Sequence, residues 1–368
     1  MSRKDGESTS RASYPVDLGE EANSRNLISP LIACSPKSTA TDMKKSDTLP
    51  QRNEQRKACY PMGTVHDLLE ARGKQGALEA GLDRSVVEAA ALYMGDEEGA
   101  LNFVYSGWAQ CALPHRRLAH DQPWEISVER IRLVVEPGRR PKDGDGPLEF
   151  LGVPFGSHAR LILLYLQTEA LRTGSREVEL GRSLREWLGR IGVSVGGRTG
   201  KLVKDQAERI SRCRLTFHIQ GAKTAGLINQ SIVDRALFIE DESCTQGRLS
   251  LEIAKLSEGF FEQLQKHPVP LEEAAIKAIN NNPAALDCYF WLAYRLHVLT
   301  GPRLITWRAL KAQFGTAYRE AYHFKNKWTG TLAMALAVYP GANVDVVDEG
   351  VILKPSRPPV APRLVAIL

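Results

Sequence analysis

Residues 150–242 constrain this chain most, because their apolar spacing and their breakers dictate an order of elements and not just one element. Leu161, Leu164 and Leu171 fall along one helix, which Ser157 is placed to cap and Gly174 to stop. Residues 176–180 read as a short strand. Leu184, Trp187, Leu188 and Ile191 then repeat with the spacing of one buried helical face, and Gly192 ends that helix. After a turn at 193–197, a third helix runs from about Arg198 to Cys213. Leu215, Phe217 and Ile219 alternate as a strand, residues 220–226 form a glycine-bearing turn, and 227–239 return. Helix, strand, helix, helix, hairpin is the order of a winged helix.

A similar order recurs at 280–355. Pro283 suits the first turn of a helix through Leu286, Phe290 and Tyr294, and Gly301-Pro302 breaks it. Thr306 can cap a helix with Trp307, Leu310 and Phe314 on one face, stopped by Gly315. A third helix takes 318–338, with Phe324, Trp328, Leu332 and Leu336 along one stripe. Residues 343–347 and 351–354 flank the turn Asp348-Glu349-Gly350. A connecting strand at 249–256 and helices at 260–265 and 270–279 lead into this unit.

The expected fold class is therefore α+β, predominantly helical, with tandem winged-helix domains at 146–245 and 246–355. A helical and strand extension at 63–145 precedes them. Within it, Val65, Leu68, Leu69, Val86, Val87, Ala90 and Leu92 predict short helices interrupted by Gly73, Gly76 and Gly81. Residues 126–136 predict a strand, and 139–146 a loop that marks a boundary. Residues 1–62 hold ten basic and eight acidic side chains with no lasting apolar period, which predicts a disordered N-terminal tail. Residues 356–368 form a Pro-rich tail.

Charge is informative only locally, since the whole chain carries just +5. Between Arg182 and Arg214 stand nine basic and three acidic residues, a net of +6. On the third helix of the first unit, Val203, Ala207 and Ile210 share one face, and Arg198, Lys201, Arg209 and Arg212 are expected on the other. Arg182, Arg185, Thr199, Lys204 and, on the wing, Lys223 complete a surface that phosphates would favour through counterion release. The turn Gly196-Gly197-Arg198-Thr199-Gly200 leaves backbone N–H groups for a phosphate at the helix N-terminus. The competing reading is a solvated ladder of pairs four residues apart, Lys204–Glu208, Asp205–Arg209 and Glu208–Arg212. In the second unit Arg303, Arg308, Lys311, Arg319, Lys325 and Lys327 meet one acid, Glu320, for a net of +5. His323 and Asn326 are interleaved there. Asn can read adenine and Arg or Lys guanine in the major groove.

Several chemistries find no support. Around Gly200-Lys201 the phosphate-loop template fails twice, at Val195 and at Leu202. Cys111, His115 and His120 lack a fourth ligand at zinc spacing. No H-x-H motif is present, which argues against a nicking replicase, and no paired carboxylates mark a hydrolase. Trp187, Trp291, Trp307 and Trp328 fall on apolar stripes and read as core. The first thirty residues lack an apolar run, and no apolar stretch approaches the ~20 residues of a membrane span. The six cysteines form no C-x-x-C pair, so a reduced, cytoplasmic setting is expected. Neither a cofactor nor a metal is expected.

The chain resembles the plasmid-encoded RepA-type replication initiators. The likeness is carried by Phe150-Leu-Gly-Val-Pro-Phe-Gly-Ser-His-Ala-Arg160, by Leu161-Ile-Leu-Leu-Tyr-Leu-Gln-Thr-Glu-Ala170 and by Leu171-Arg-Thr-Gly-Ser-Arg-Glu-Val-Glu-Leu180. It continues in Gln206-Ala-Glu-Arg-Ile-Ser-Arg-Cys-Arg-Leu-Thr-Phe217 and Asn229-Gln-Ser-Ile-Val-Asp234, with Ala112-Leu-Pro-His-Arg-Arg117 upstream. The resemblance implies a bacterial protein that binds repeated duplex sites (iterons) at a plasmid origin. It also implies help in opening an A·T-rich segment, recruitment of host DnaA and the replicative helicase, and, in many relatives, repression as a homodimer. The family offers no catalytic residues to carry over. The alternative is a winged-helix transcriptional regulator without a replication role.

Overall fold

A computed structural model describes residues 64–361 except 129–130, 143–145, 195, 221–224 and 241–248. The tail at 1–62, Lys223 and its turn, and the last seven residues lie outside the described residues.

The glycine-interrupted apolar runs form α1 (Thr64–Glu79), kinked at Gly73, and α2 (Arg84–Met94), capped by Asp83. Strand β1 (Leu101–Tyr105) passes directly into α3 (Ser106–Gln110). The single strand expected over 126–136 is two. β2 (Trp124–Val128) and β3 (Ile131–Glu136) pair antiparallel, with buried Ile126 opposite buried Leu133. β-Branched composition marks strand but is blind to a reversal within it. Residues 139–146, expected as a loop, contribute to a two-stranded ribbon of β4 (Gly138–Pro141) and β5 (Leu148–Gly152).

The central helix is α4 (Gly156–Thr173), buried continuously from Ala159 to Thr168 and closed by Gly174 in the left-handed conformation. Ser157 makes no cap, because the helix begins a residue before it and Phe155 takes the capping position. Two polar side chains of α4 complete β1. Thr168 Oγ1 accepts the Phe103 N–H at 2.9 Å and Gln167 Oε1 the Tyr105 N–H at 2.8 Å. These donors point away from the ladder that β1 forms on its other side, and burial without acceptors would destabilise them.

β6 (Glu177–Glu179), α5 (Gly181–Arg190) and α6 (Gly197–Arg212) follow in the expected order. The expected return at 227–239 forms two strands, which lie in different sheets. β8 (Ala225–Ser231) pairs back on β7 (Arg214–Gln220), extending the β2–β3 pair to a four-stranded sheet. β9 (Val233–Glu240) instead pairs with β10 (Leu249–Leu256), which also pairs with β6. Ile232 and Val233 are both buried in succession, which one alternating strand cannot satisfy, and the chain changes sheet there. The segment expected as a connector at 249–256 is thus the middle strand of a sheet.

After α7 (Glu258–Lys266), β11 (Pro268–Glu272) pairs antiparallel with β1, so the helix expected over 270–279 starts only at Glu273, as α8 (Glu273–Ile279). Pro270 holds Val269 extended within β11. α9 (Pro283–Arg295) is capped by Asn282 and ends in a 3-10 turn. An unexpected strand, β12 (Arg303–Thr306), precedes α10 (Trp307–Phe314), which Thr306 caps. α11 (Ala321–Ala337) begins three residues later than its apolar stripe implied. Tyr318 packs its ring on Phe324 from the preceding loop. β13 (Val344–Val347) and β14 (Gly350–Leu353) form a hairpin that β12 joins through β14. Gly350 is required there, since a Cβ would stand 2.0 Å from the Ile305 carbonyl oxygen.

One continuous core runs from Val86 to Leu353. Trp187, Trp291 and Trp328 are buried in it, and Trp307 packs edge-on against Trp328. Among the described residues no helix is long and apolar enough to cross a membrane.

Candidate nucleic-acid interface

The basic surface of the first unit is built on α6. Its buried side is Val203, Gln206, Ala207, Arg209 and Ile210, and Gln206 Oε1 accepts the Phe155 N–H at 2.8 Å. Arg198, Lys201 and Arg212 are exposed, and Thr199 and Lys204 half-buried. Arg209 corrects the expected face. It is 2% exposed, pairs with Asp205 at 2.9 Å, donates to the Val153 carbonyl and lies over the Phe155 ring. Its guanidinium is packing material in the protein interior.

The ladder reading holds for the C-terminal half of α6. Asp205 takes Arg209, and Glu208 takes Arg212 at 3.4 Å and Arg140 of the β4–β5 ribbon at 2.8 Å. Burial opposes the charge on Arg140, but Glu149 and Glu208 outweigh it and raise its pKa. The ribbon is thereby fastened to α6, and Arg139 stacks over Phe150 at 4.0 Å. At the N-terminal half, no carboxylate among the described residues pairs with Arg198 or Lys201. On α5, Arg182 pairs with Glu186 at 2.7 Å while Arg185 stands exposed without such a partner among the described residues.

The second surface is built on α10 and α11. Arg308, Arg319, His323, Asn326 and Lys327 are exposed, and Lys311 is half-buried. Arg319 has a loose contact to Glu320 at 3.8 Å, both well exposed. Lys325 is turned inward, over the Trp307 ring at 5.0 Å and 3.5 Å from the Asp348 carbonyl oxygen. Trp307 donates its indole N–H to that same carbonyl at 2.9 Å. Lys325 therefore joins α11 to the tip of the β13–β14 hairpin and is the least available of the predicted cations here. No carboxylate occurs within α11 itself.

Sequence reasoning missed one feature of each surface. The β4–β5 ribbon was hidden by loop-like composition. Tyr322, 69% exposed on α11, was passed over because it lies off the apolar stripe.

The arrangement is that of a mixed helix and strand chain with two cationic helices, each near a hairpin or ribbon. Residues 153–308 match the model of a family described as plasmid encoded RepA protein. That segment is similar to the RepA-type replication initiators. The match includes α6 and ends within α10, short of α11. No curated protein matches the chain. A crystal structure of selenomethionine derivatives of domains 2 and 3 of RctB is 12% identical, covering 70% of this chain and 99% of that one at a TM-score of 0.45. Another crystal structure of RctB domains 2-3 is 13% identical, covering 67% and 95% at a TM-score of 0.39. At those TM-scores neither likeness carries an argument.

Proposed function

We propose that this protein initiates plasmid replication without enzymatic activity, by binding repeated duplex DNA sites at the origin through two winged-helix modules. In the second module α9, β12, α10, α11 and the β13–β14 hairpin stand in winged-helix order, with β12 paired to the hairpin. In the first, α4, β6, α5 and α6 take that order, and the strands that close over β6 are β10 and β9. The observation that carries the reading is the pair of cationic helices, α6 and α11, on which Arg198, Lys201 and Lys327 are exposed with no carboxylate partner among the described residues. An exposed cation without an internal partner is available to a phosphate, and each contact releases counterions.

The two helices enter successive major grooves about one helical turn apart. Binding bends the site at about 1–6 kcal/mol, offset by the added contacts, and so assists opening of an adjacent A·T-rich segment. Host DnaA and the replicative helicase are the partners that the similarity to RepA proteins suggests, along with a homodimeric repressor form, in the bacterial cytoplasm. A plasmid carrying only this gene and its flanking DNA tests the function. Maintenance in a suitable host, lost on replacing Arg198 and Lys201 by Ala, is the expected result. Binding to the flanking DNA without maintenance would leave a transcriptional regulator.

A further inference from the structure

The outward face of α11 carries more than charge. Tyr322, His323, Asn326, Lys327 and Gly330 are all exposed, opposite buried Phe324, Trp328 and Leu332. Single exposed aromatics are ordinary. Tyr322 differs in its setting. It is the most exposed large apolar side chain among the described residues, one turn ahead of Asn326 on the same row, and its ring meets the edge of His323 at 5.6 Å. The charged side chains within α11 are Lys325 and Lys327, and exposed Glu320 at its N-cap is accompanied by Arg319 at 3.8 Å.

Gly330 extends that row one more turn. Glycine inside a helix is less stable than alanine, and here a Cβ would meet nothing within 4 Å. Packing within the chain therefore gives no reason for glycine. A surface that approaches the backbone from outside does.

We propose that Tyr322 is a specificity-determining residue that sets its ring against the 5-methyl group of a thymine, while Gly330 lets the backbone of α11 seat closely in the same groove. This rests on the duplex-binding function proposed above. The cationic rim selects DNA as the occupant, and thymine is the base that offers an apolar group in the major groove. Asn326, between Tyr322 and Gly330, is then placed to pair with a neighbouring adenine.

The test selects duplexes from a random library with the full chain, then replaces each thymine of the recovered site by deoxyuridine in turn. For the unaltered protein, one position should weaken about fourfold, the worth of one methylene-sized group. Tyr322→Ala should bind the thymine and deoxyuridine versions of that position equally, with Tm unchanged. Gly330→Ala should raise Tm and yet weaken binding, opposite signs that a purely structural glycine would not give. The proposal is overturned if no deoxyuridine effect disappears in Tyr322→Ala, or if Gly330→Ala binds as tightly as the parent. Recovery of no duplex at all would instead overturn the DNA-binding function, and this proposal with it.

Discussion

Arg160 on α4 and Asp287 on α9 form a two-pronged ion pair inside the protein, Nε to Oδ1 at 2.7 Å and Nη2 to Oδ2 at 2.6 Å. The other guanidinium hydrogens go to the carbonyls of Leu113, Pro114 and Gly156, so all five donors are used. His115 adds a contact to Asp287 at 2.8 Å. The pair joins α4, which packs against α6, to α9, which packs against α11. The relative placement of the two cationic surfaces thus depends on a buried, fully satisfied charge network.

Removing one partner should be severe. Arg160→Met leaves the Asp287 carboxylate buried without its counter-ion and should cost about 3–5 kcal/mol in urea unfolding. Adding Asp287→Leu should recover part of that loss, since an apolar pair of similar volume removes the stranded charge. Strictly additive losses would contradict the coupling.

Acid should weaken the fold in two windows. Burial opposes the ionised form of Asp287, but Arg160 and His115 more than compensate, and its pKa lies below the ordinary value. The unfolded carboxyl takes up protons first, so this contribution is present above about pH 4 and disappears as pH falls through the folded pKa. His158 is lowered by burial. The unfolded imidazole protonates near pH 6.5, so stability should already decline from about there downward. Thermal unfolding between about pH 7.5 and 5 should show this decline, and His158→Gln should flatten it. A flat parent profile would contradict the half-buried, neutral imidazole.

Arg209 and the pair Arg198 and Lys201 should separate cleanly. Arg209→Ala should lower Tm and leave the salt dependence of DNA binding unchanged, because its guanidinium faces Asp205, Val153 and Phe155. Replacing Arg198 and Lys201 together by Ala should leave Tm nearly unchanged and flatten the slope of log affinity against log salt by about two. The reverse pattern would mean that the surface was misassigned.

Asn326→Ala should relax base preference at one position by about 1–3 kcal/mol. Competition with single-base variants of the selected site measures it. Equal loss on every sequence would make Asn326 a backbone contact.

Most helices were legible from their apolar spacing, α5, α6, α9 and α10 among them, because a buried face leaves a local period. What sequence could not give was pairing at a distance. Arg160 falls in the segment that carried the family resemblance, yet its partner lies 127 residues away. β12 escaped notice because four residues carry little pattern and its partner β14 lies beyond two helices. The switch of sheets at Ile232 is written in two successive apolar residues, but only their burial reveals it. On the candidate surface, the exposed cations at Arg198, Lys201, Arg308 and Lys327 were found by charge alone. Arg209 and Lys325 were not separable from them, since Phe155 and Trp307, which cover them, come from other elements.

Hydroxyl-radical footprinting of the full chain on the DNA flanking its gene tests the central claim most directly. The account predicts two protected patches on one side of the duplex, about 10–10.5 base pairs apart. Arg198→Ala with Lys201→Ala should erase one patch, and Arg308→Ala with Lys327→Ala the other. Protection confined to one patch, or two patches on opposite sides of the duplex, would contradict it.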